Sequence, residues 1–220
     1  MIARHLISDT IIPLKTSDTG NTALKWMDEN KVSHLPIVNN DNYVGLISEK
    51  DILELNNYEE PIGNHHLSLD KASVKELQHI YEIIELFEKH SLSLVPVVDN
   101  HENYLGSITL ASLLSYLSNS FSINSPGGVI VLEMSENDYS LTEIANIVES
   151  NDAKILSCFI GNHSDSTLIE VIIKINKTEM DAIIQTFTRY EYIVKAIFGE
   201  DGDVEDLKER YDSLMNYLNI

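Results

Sequence analysis

An internal repeat of about 60 residues constrains this chain more than any other feature. Residues 33–53 read SHLPIVNNDNYVGLISEKDIL, and residues 93–114 read SLVPVVDNHENYLGSITLASLL. Pro36 matches Pro96 at an offset of 60, and Gly45 matches Gly106 at an offset of 61. One small supersecondary unit cannot bury its apolar face alone, so a duplicated phrase of this kind predicts two copies that pack together.

Both copies show the same order of predicted elements: short strand, helix, two paired strands and a closing helix. Apolar residues at i, i+1 and i+4, which predict a helix, occur as Ala23, Leu24 and Met27 and again as Ile83, Ile84 and Phe87. The predicted elements of the first copy are strands 10–14, 35–38 and 44–47 and helices 19–31 and 49–55. Those of the second copy are strands 71–74, 94–98 and 104–108 and a helix over 74–89. The linker PIGNHH, residues 61–66, separates the copies.

A different pattern follows the run NSPGG, residues 124–128, which breaks any helix. The order of apolar strands and amphipathic helices beyond it is β-α-β-β-α-β, the ferredoxin-like arrangement. Its predicted strands are 128–134, 153–160, 168–175 and 192–198, and its predicted helices are 141–149 and 178–190, the second capped by Thr178. The predicted fold class is therefore α/β (α+β), with domains over 1–60, 66–122 and 127–200 and a C-terminal amphipathic helix within 203–220.

The charge of the chain disfavours polyanionic partners. It has 35 acidic and 15 basic residues, a net charge of −20. Phosphate backbones are bound mainly through Lys and Arg, so we expect no nucleic-acid partner and no binding to anionic membranes. We also expect a cytoplasmic protein, because no apolar run is long enough to span a bilayer and the start has no apolar leader. The single cysteine, Cys158, excludes an intramolecular disulfide and reads as a core thiol.

The phrase GLISEKD, residues 45–51, has the composition of a ligand-binding turn. Gly45 allows close backbone approach, and Ser48 lies at the start of a predicted helix, where free N–H groups attract anions. Asp51 lies about one turn further on, and its carboxylate suits the two hydroxyls of a ribose. Lys50 could reach a phosphate. Ser48 with Asp51 is equally close to a capping box, in which both side chains only close the helix end.

The two copies together resemble a tandem pair of cystathionine-β-synthase-type (CBS) domains. The resemblance rests on the strands VSHLPIV and LSLVPVV, the turns NYVG and NYLG, and the pattern G-x-x-[S/T]-x-x-[D/N], which residues 45–51 match in full and residues 106–112 match except at the last position. Residues 128–198 resemble an ACT-type small-molecule-sensing domain in the order of their elements. The resemblance implies a regulatory protein and not an enzyme. It would bind AMP, ADP, ATP or S-adenosylmethionine between the repeats, pair as a homodimer and control a partner enzyme.

Carried over to this sequence, the resemblance predicts one strong cleft and one weak cleft. The nucleotide-binding residues of the strong cleft would be Leu46, Ser48, Lys50, Asp51, Ala72, Val74, Leu92 and Ser93. The weaker second cleft would use Thr109, Ser112, Ile12, Val32 and Ser33. Ser112 stands where the pattern has Asp or Asn, and a neutral hydroxyl bonds about half as strongly as a carboxylate.

Other features leave alternatives open. The loop SENDYSL, residues 135–141, has Tyr139 and Ser140 where an ACT domain has the glycine that cradles an amino acid, so this domain could bind an amino acid or only pair with a second sheet. The adjacent His65 and His66 lack the spacing of metal ligands, and no catalytic or metal site is predicted. The alternative function is a ligand-free dimerisation and docking module.

Overall fold

The computed structural model describes residues 1–8, 10–65, 69–162 and 167–199. The chain divides into two compact units, Met1–Tyr116 and Leu117–Ile220. The first unit holds both copies of the repeat. The predicted C-terminal helix lies outside the described residues.

The first copy contains two helices and a two-stranded antiparallel sheet. Its elements are α1 (Gly20–Asn30), β1 (His34–Asn39), β2 (Asn42–Ser48) and α2 (Glu49–Leu53). Thr19 caps α1 by accepting from the Thr22 N–H, and Lys31 ends it in the left-handed conformation. The predicted opening strand is reduced to one parallel bridge between Leu14 and Ile37.

The second copy repeats this order with a slightly larger sheet. Its elements are β3 (Val74–Lys75), α3 (Ile80–His90), β4 (Leu94–Val98), β5 (Tyr104–Thr109) and α4 (Leu110–Ser120). The prediction that α3 begins at Val74 is wrong, because Val74 and Lys75 pair in parallel with β4 and His79 caps the helix. The apolar residues before His79 therefore belong to a strand and a turn.

The copies are tied together by segments that cross from one to the other. Ser8, before the first copy, pairs with Ser107 of β5, and Asp70, before the second copy, pairs with Leu46 of β2. The two hairpin turns also exchange hydrogen bonds: the N–H of Tyr43 donates to Glu102, and the N–H of Tyr104 donates to Asp41. Each copy of the repeat is thus paired with the segment that precedes the other copy.

The second unit has the predicted ferredoxin-like order. Its elements are β6 (Val129–Ser135), α5 (Leu141–Ser150), β7 (Ile155–Asn162), β8 (Leu168–Ile175), α6 (Asp181–Arg189) and β9 (Ile193–Phe198). The strands form an antiparallel sheet in the order β7-β8-β6-β9. Residues of both helices and of β6 and β8 form one buried core, so the helices cover one face of the sheet.

Two sequence predictions for this unit have specific outcomes. Thr178 is not the N-cap of α6: Met180 occupies that position, and no side chain caps the helix. Cys158 is half-buried against the core, as expected of a core thiol, and burial raises the pKa of its thiol.

Candidate functional site

Ser48 and Asp51 form a reciprocal cap at the start of α2. The backbone N–H of Asp51 donates to Ser48 Oγ over 3.1 Å, and Asp51 Oδ2 accepts from the N–H and the hydroxyl of Ser48 over 2.8 and 2.6 Å. The capping reading is therefore correct for this state of the protein. Among the described residues no group donates to Asp51 Oδ1, so the cap uses only one of the two carboxylate oxygens.

The second copy keeps the cap and loses the spare acceptor. The Thr109 N–H donates to Ser112 Oγ, and the Ser112 N–H donates to Thr109 Oγ1, each over 3.1 Å. The only hydroxyl proton of Ser112 is donated to the carbonyl of Thr109 over 2.9 Å. Replacement of aspartate by serine therefore preserves the helix end but removes the charge and the second oxygen.

The two motif glycines make room for protein, not for a ligand. A Cβ at Gly45 would lie 2.7 Å from Cβ of Leu69, and a Cβ at Gly106 would lie 2.4 Å from Cγ2 of Ile7. Ile7 and Leu69 belong to the segments that cross between the copies. Gly106 also has a φ of +149°, which favours glycine. The close approach expected at Gly45 therefore serves the packing of the repeats.

His34 joins the two copies at the start of β1. Its Nδ1 lies 3.1 Å from the hydroxyls of Ser33 and Ser93 and 3.3 Å from the backbone nitrogen of Ser93. The Ser33 N–H donates to Ser93 Oγ over 3.0 Å. Ser33 and Ser93, predicted for opposite clefts, are thus in direct contact.

Geometry selects the protonation state of His34. A backbone N–H can only donate, so the Ser93 amide requires an unprotonated Nδ1 and places the ring proton on Nε2. Burial lowers the pKa of His34, and the carboxylates of Asp51 and Asp70 partly oppose this effect. The ring is therefore neutral at pH 7.

His34 is not among the residues that the sequence assigns to either cleft. The sequence signal that could have found it is a difference between the copies, because the matching position of the second copy holds Leu94. Asp70 was not predicted at all. It accepts from the Ala72 N–H, and its Oδ2 lies 2.8 Å from Nδ1 of His90.

The remaining predicted residues differ in accessibility. Lys50 is exposed, and its ammonium lies 4.0 Å from Glu54. Leu46 pairs with Asp70, which brings β2 beside Ala72. Ile12 is 62% exposed. The other predicted apolar positions are buried: Leu46, Ala72, Val74, Leu92 and Val32.

The loop SENDYSL of the second unit borders an open groove of about 500 Å³. The groove is lined by residues 133–135 and 190–193 and by Asp138, Glu143 and Leu168, so four of its side chains are acidic. Tyr139 packs against the core of the unit. Burial and the bond to Glu143 raise the pKa of Tyr192.

Comparison with known proteins now assigns the first unit. Residues 3–57 and 68–119 match the family model of the CBS domain. The first unit, with its two copies and the segments that cross between them, is thus a tandem pair of CBS domains.

Two curated relatives each match about half of this chain. An inosine-5'-monophosphate dehydrogenase of Methanocaldococcus jannaschii is 26% identical over 113 residues, which are 51% of this chain and 23% of the relative. An uncharacterized protein of the same organism is 28% identical over 101 residues, 46% of this chain and 34% of the relative. The chain thus spans about a quarter to a third of the length of these relatives.

Solved structures of CBS pairs are similar as well. A CBS domain pair/ACT domain protein from Thermotoga maritima is 22% identical, with a TM-score of 0.49 over 54% of this chain and 98% of the other. CBSX2 in complex with AMP is 19% identical, with a TM-score of 0.47 over 54% and 96%. A structure described as an acetoin utilization protein, AcuB, from Vibrio cholerae is 23% identical, with a TM-score of 0.48 over 56% and 95%.

The described residues contain neither a helix that could span a membrane nor a cluster that could hold a metal ion. None of their helices has the length and hydropathy that a membrane span requires. No group of three or more His, Cys, Asp or Glu side chains in that part of the chain is arranged to hold a metal ion.

Proposed function

We propose that the protein is a regulatory sensor that binds an adenosine compound, a nucleotide or an S-adenosyl compound, in the Asp51 cleft of its CBS pair. The observation that carries the proposal is the difference between the two motif copies. Both copies close their helix in the same way, but only Asp51 retains an acceptor oxygen that no described group uses. A carboxylate in a first helical turn is suited to ribose hydroxyls.

The position of the cleft supports a regulatory role. The motif of the first copy lies beside Asp70, which belongs to the segment that crosses from the second copy. His34 binds Ser93 of the other copy. A ligand held by Asp51 would therefore touch groups of both copies. It would favour one relative geometry over another in proportion to its difference in affinity for the two.

Calorimetry on folded protein freed of co-purified ligand tests this function. AMP, ADP, ATP and S-adenosylmethionine are titrated separately, and at least one should bind with a stoichiometry of one per chain. Two sites of equal affinity would contradict the assignment of a single strong cleft. The absence of heat and of thermal stabilisation with every ligand would refute sensing of adenosine compounds.

A second candidate, a ligand-free module for dimerisation and docking to an enzyme, is favoured by a separate observation. Ser48 and Asp51 already satisfy each other, and the apolar residues predicted for the wall are buried without a ligand. This candidate predicts an oligomer by light scattering and a melting temperature that no adenosine compound changes.

For the second unit we propose an ACT-like pairing surface and not an amino-acid site. The groove beside its SENDYSL loop is acidic, which disfavours the carboxylate of an amino acid. In the sheet of this unit, β7 is an edge strand without a charged residue or proline, and such edges tend to pair. Deletion of residues 127–220 should therefore lower the mass measured by light scattering to below twice that of the shortened chain.

A further inference from the structure

The sheet of the second unit carries apolar residues on the face opposite its two helices. Residues such as Leu132 and Val171 belong to the core beneath those helices. Side chains of a strand alternate between the two faces, so the residues next to them point away from the helices. Strand pairing aligns four of these in one row: Phe159, Ile172, Val131 and Ala196. A solvated sheet face normally carries polar residues, so an apolar row predicts a cover.

The neighbouring row extends the apolar surface. It adds Val129 and Phe198, which pair directly, while Lys174 of the same row directs its ammonium to a backbone carbonyl. Phe198 is 54% exposed, and Phe159 is 45% exposed although its ring lies 5.8 Å from that of Phe121. The two rows form the outer apolar face: Val129, Val131, Phe159, Ile172, Ala196 and Phe198. Gathered apolar side chains of this kind mark a surface on which another element packs.

The segment 200–220, outside the described residues, follows directly after this face along the chain. Its apolar residues are spaced alternately three and four positions apart, which predicts one stripe along a helix: Val204, Leu207, Tyr211, Leu214 and Leu218. A helix over 204–218 would be about 22 Å long, and the strand β6 is about 23 Å long. The connection 199–203 can span up to about 17 Å, enough to return from the end of β9 to the face.

The charges of the segment fit the border of the outer apolar face. Glu133 and Glu170 lie in the row beside the apolar one, and both accept from the Lys195 ammonium. At about 100° per residue, Lys208 and Arg210 project on either side of the apolar stripe. The acidic residues of the segment project away from the stripe: Glu205, Asp206, Glu209 and Asp212. The apolar side of the segment would thus bring basic groups to an acidic border.

We propose that residues 203–218 pack as an amphipathic helix on the outer apolar face of their own chain. A tethered segment acts at an effective concentration in the millimolar range, so a modest apolar contact is sufficient. A second copy would have to bind the same face without that advantage. The contact uses the face of the sheet and not the edge of β7 proposed above for pairing.

Thiol labelling in the full chain tests this cover. In a Cys158→Ala background, Ala196→Cys places a thiol on the outer apolar face, and Ala182→Cys places one on the exposed side of α6. Leu214→Asp, which puts a charge into the stripe, should speed labelling at position 196 at least fivefold and leave position 182 within about twofold. Asn216→Asp puts the same side chain on the polar side of the segment. It is the matched control and should leave both rates within about twofold.

Two other results would overturn the proposal. One is an unchanged rate at position 196 in Leu214→Asp. The other is protection that persists in Leu214→Asp and weakens on dilution, which would assign the face to a second copy. Leu207→Asn, a milder change in the same stripe, repeats the test in case the first variant opens the whole unit. Faster labelling at both positions in both variants would show general unfolding and would also overturn the proposal.

Discussion

At the scale of single residues, the two motif copies separate capping from ligand chemistry. Asp51 and Ser112 make the same local bond to the backbone N–H three residues earlier. They differ in the atoms that the cap does not use. Asp51 has a second, charged carboxylate oxygen, whereas Ser112 has only one hydroxyl, whose proton is already donated to the Thr109 carbonyl. The loss of the aspartate in the second copy is thus compatible with the helix cap, and under the proposed function it weakens binding at that copy.

Asp51→Ala and Ser112→Ala should therefore have similar effects on stability and different effects on binding. Each removes one partner of a helix cap, which costs about 1 kcal/mol in the free energy of unfolding. Loss of a charge-assisted bond to ribose should weaken binding by about tenfold or more in Asp51→Ala, and binding to Ser112→Ala should stay within about twofold. Urea denaturation and calorimetry measure the two quantities. Equal losses of affinity would contradict a single strong cleft.

His34 predicts a pH dependence of stability. Since the folded protein lowers the pKa of His34 below its ordinary 6.5, the neutral ring contributes stability above pH 6.5. That contribution is lost as pH falls through the folded pKa, because the unfolded chain then binds the proton more readily. Protonation would also set an Nδ1–H against the Ser93 amide. The other groups facing the ring are Ser33, Asp51 and Asp70.

The matched variant is His34→Leu, which installs the residue found at position 94 of the second copy. The free energy of unfolding, measured by urea at pH 7.5 and 5.5, should fall more in the parent protein than in the variant. The variant keeps every other residue, so the difference between the two proteins isolates His34. If both proteins lose the same amount, His34 does not carry the pH dependence.

At the scale of secondary-structure elements, the crossing segments determine how the copies pack. Ser8 pairs with β5 and Asp70 pairs with β2, each one residue beyond the side chain that lies over a motif glycine. Where such a segment lies over a strand, a Cβ on the strand would collide with the side chain of the segment. The duplicated glycine is therefore a requirement of the exchange between copies.

Gly106→Ala should lower the free energy of unfolding by about 1 to 3 kcal/mol, through overpacking against Ile7 and an unfavourable φ. Gly161→Ala, whose Cβ would meet its nearest neighbours at 3.9 Å, is the control and should be nearly neutral. Adding Ile7→Ala should restore part of the loss if the clash is the cause. A double variant that loses the full sum of both effects would exclude that explanation.

At the scale of the whole molecule, the chain contains two units, and the core of the second is made from its own residues. Phe187 is fully buried within it, and its ring meets that of Tyr192 edge to face at 5.6 Å. The first unit has the elements of the proposed ligand cleft. Stability of the second unit and binding by the first are therefore separable quantities.

Phe187→Ala should lower the stability of the second unit by about 3 to 5 kcal/mol, because it removes a large side chain from a closed core. Calorimetry on the folded variant should show ligand affinity within about twofold of the parent. Phe198→Ala, at a site that is 54% exposed, is the control and should cost much less. A large loss of affinity in Phe187→Ala would show that the second unit supports the cleft directly.

Prediction from sequence succeeded where the signal is local. The intervals 94–98 and 168–175 were predicted as strands with the bounds that the structure has, because they are apolar runs that end at turns. It failed where local pattern and long-range pairing disagree: the helix predicted over 74–89 begins only at Ile80, because Val74 and Lys75 pair with β4. The motif residues could be named from the repeat, whereas Asp70 carries no motif and lies near the cleft only through the crossing.

The sequence by itself determined the duplication, the order of elements, the acidic character and the difference between Asp51 and Ser112, since each depends on residue type and spacing alone. Tertiary structure alone decided what those residues face. Crossing of the segments before each copy brings Ile7 over Gly106 and Asp70 beside Leu46. Contact between the copies also fixes the tautomer of His34 through the Ser93 amide. Such contacts join residues about 25 to 100 positions apart, and no local preference of the chain encodes them.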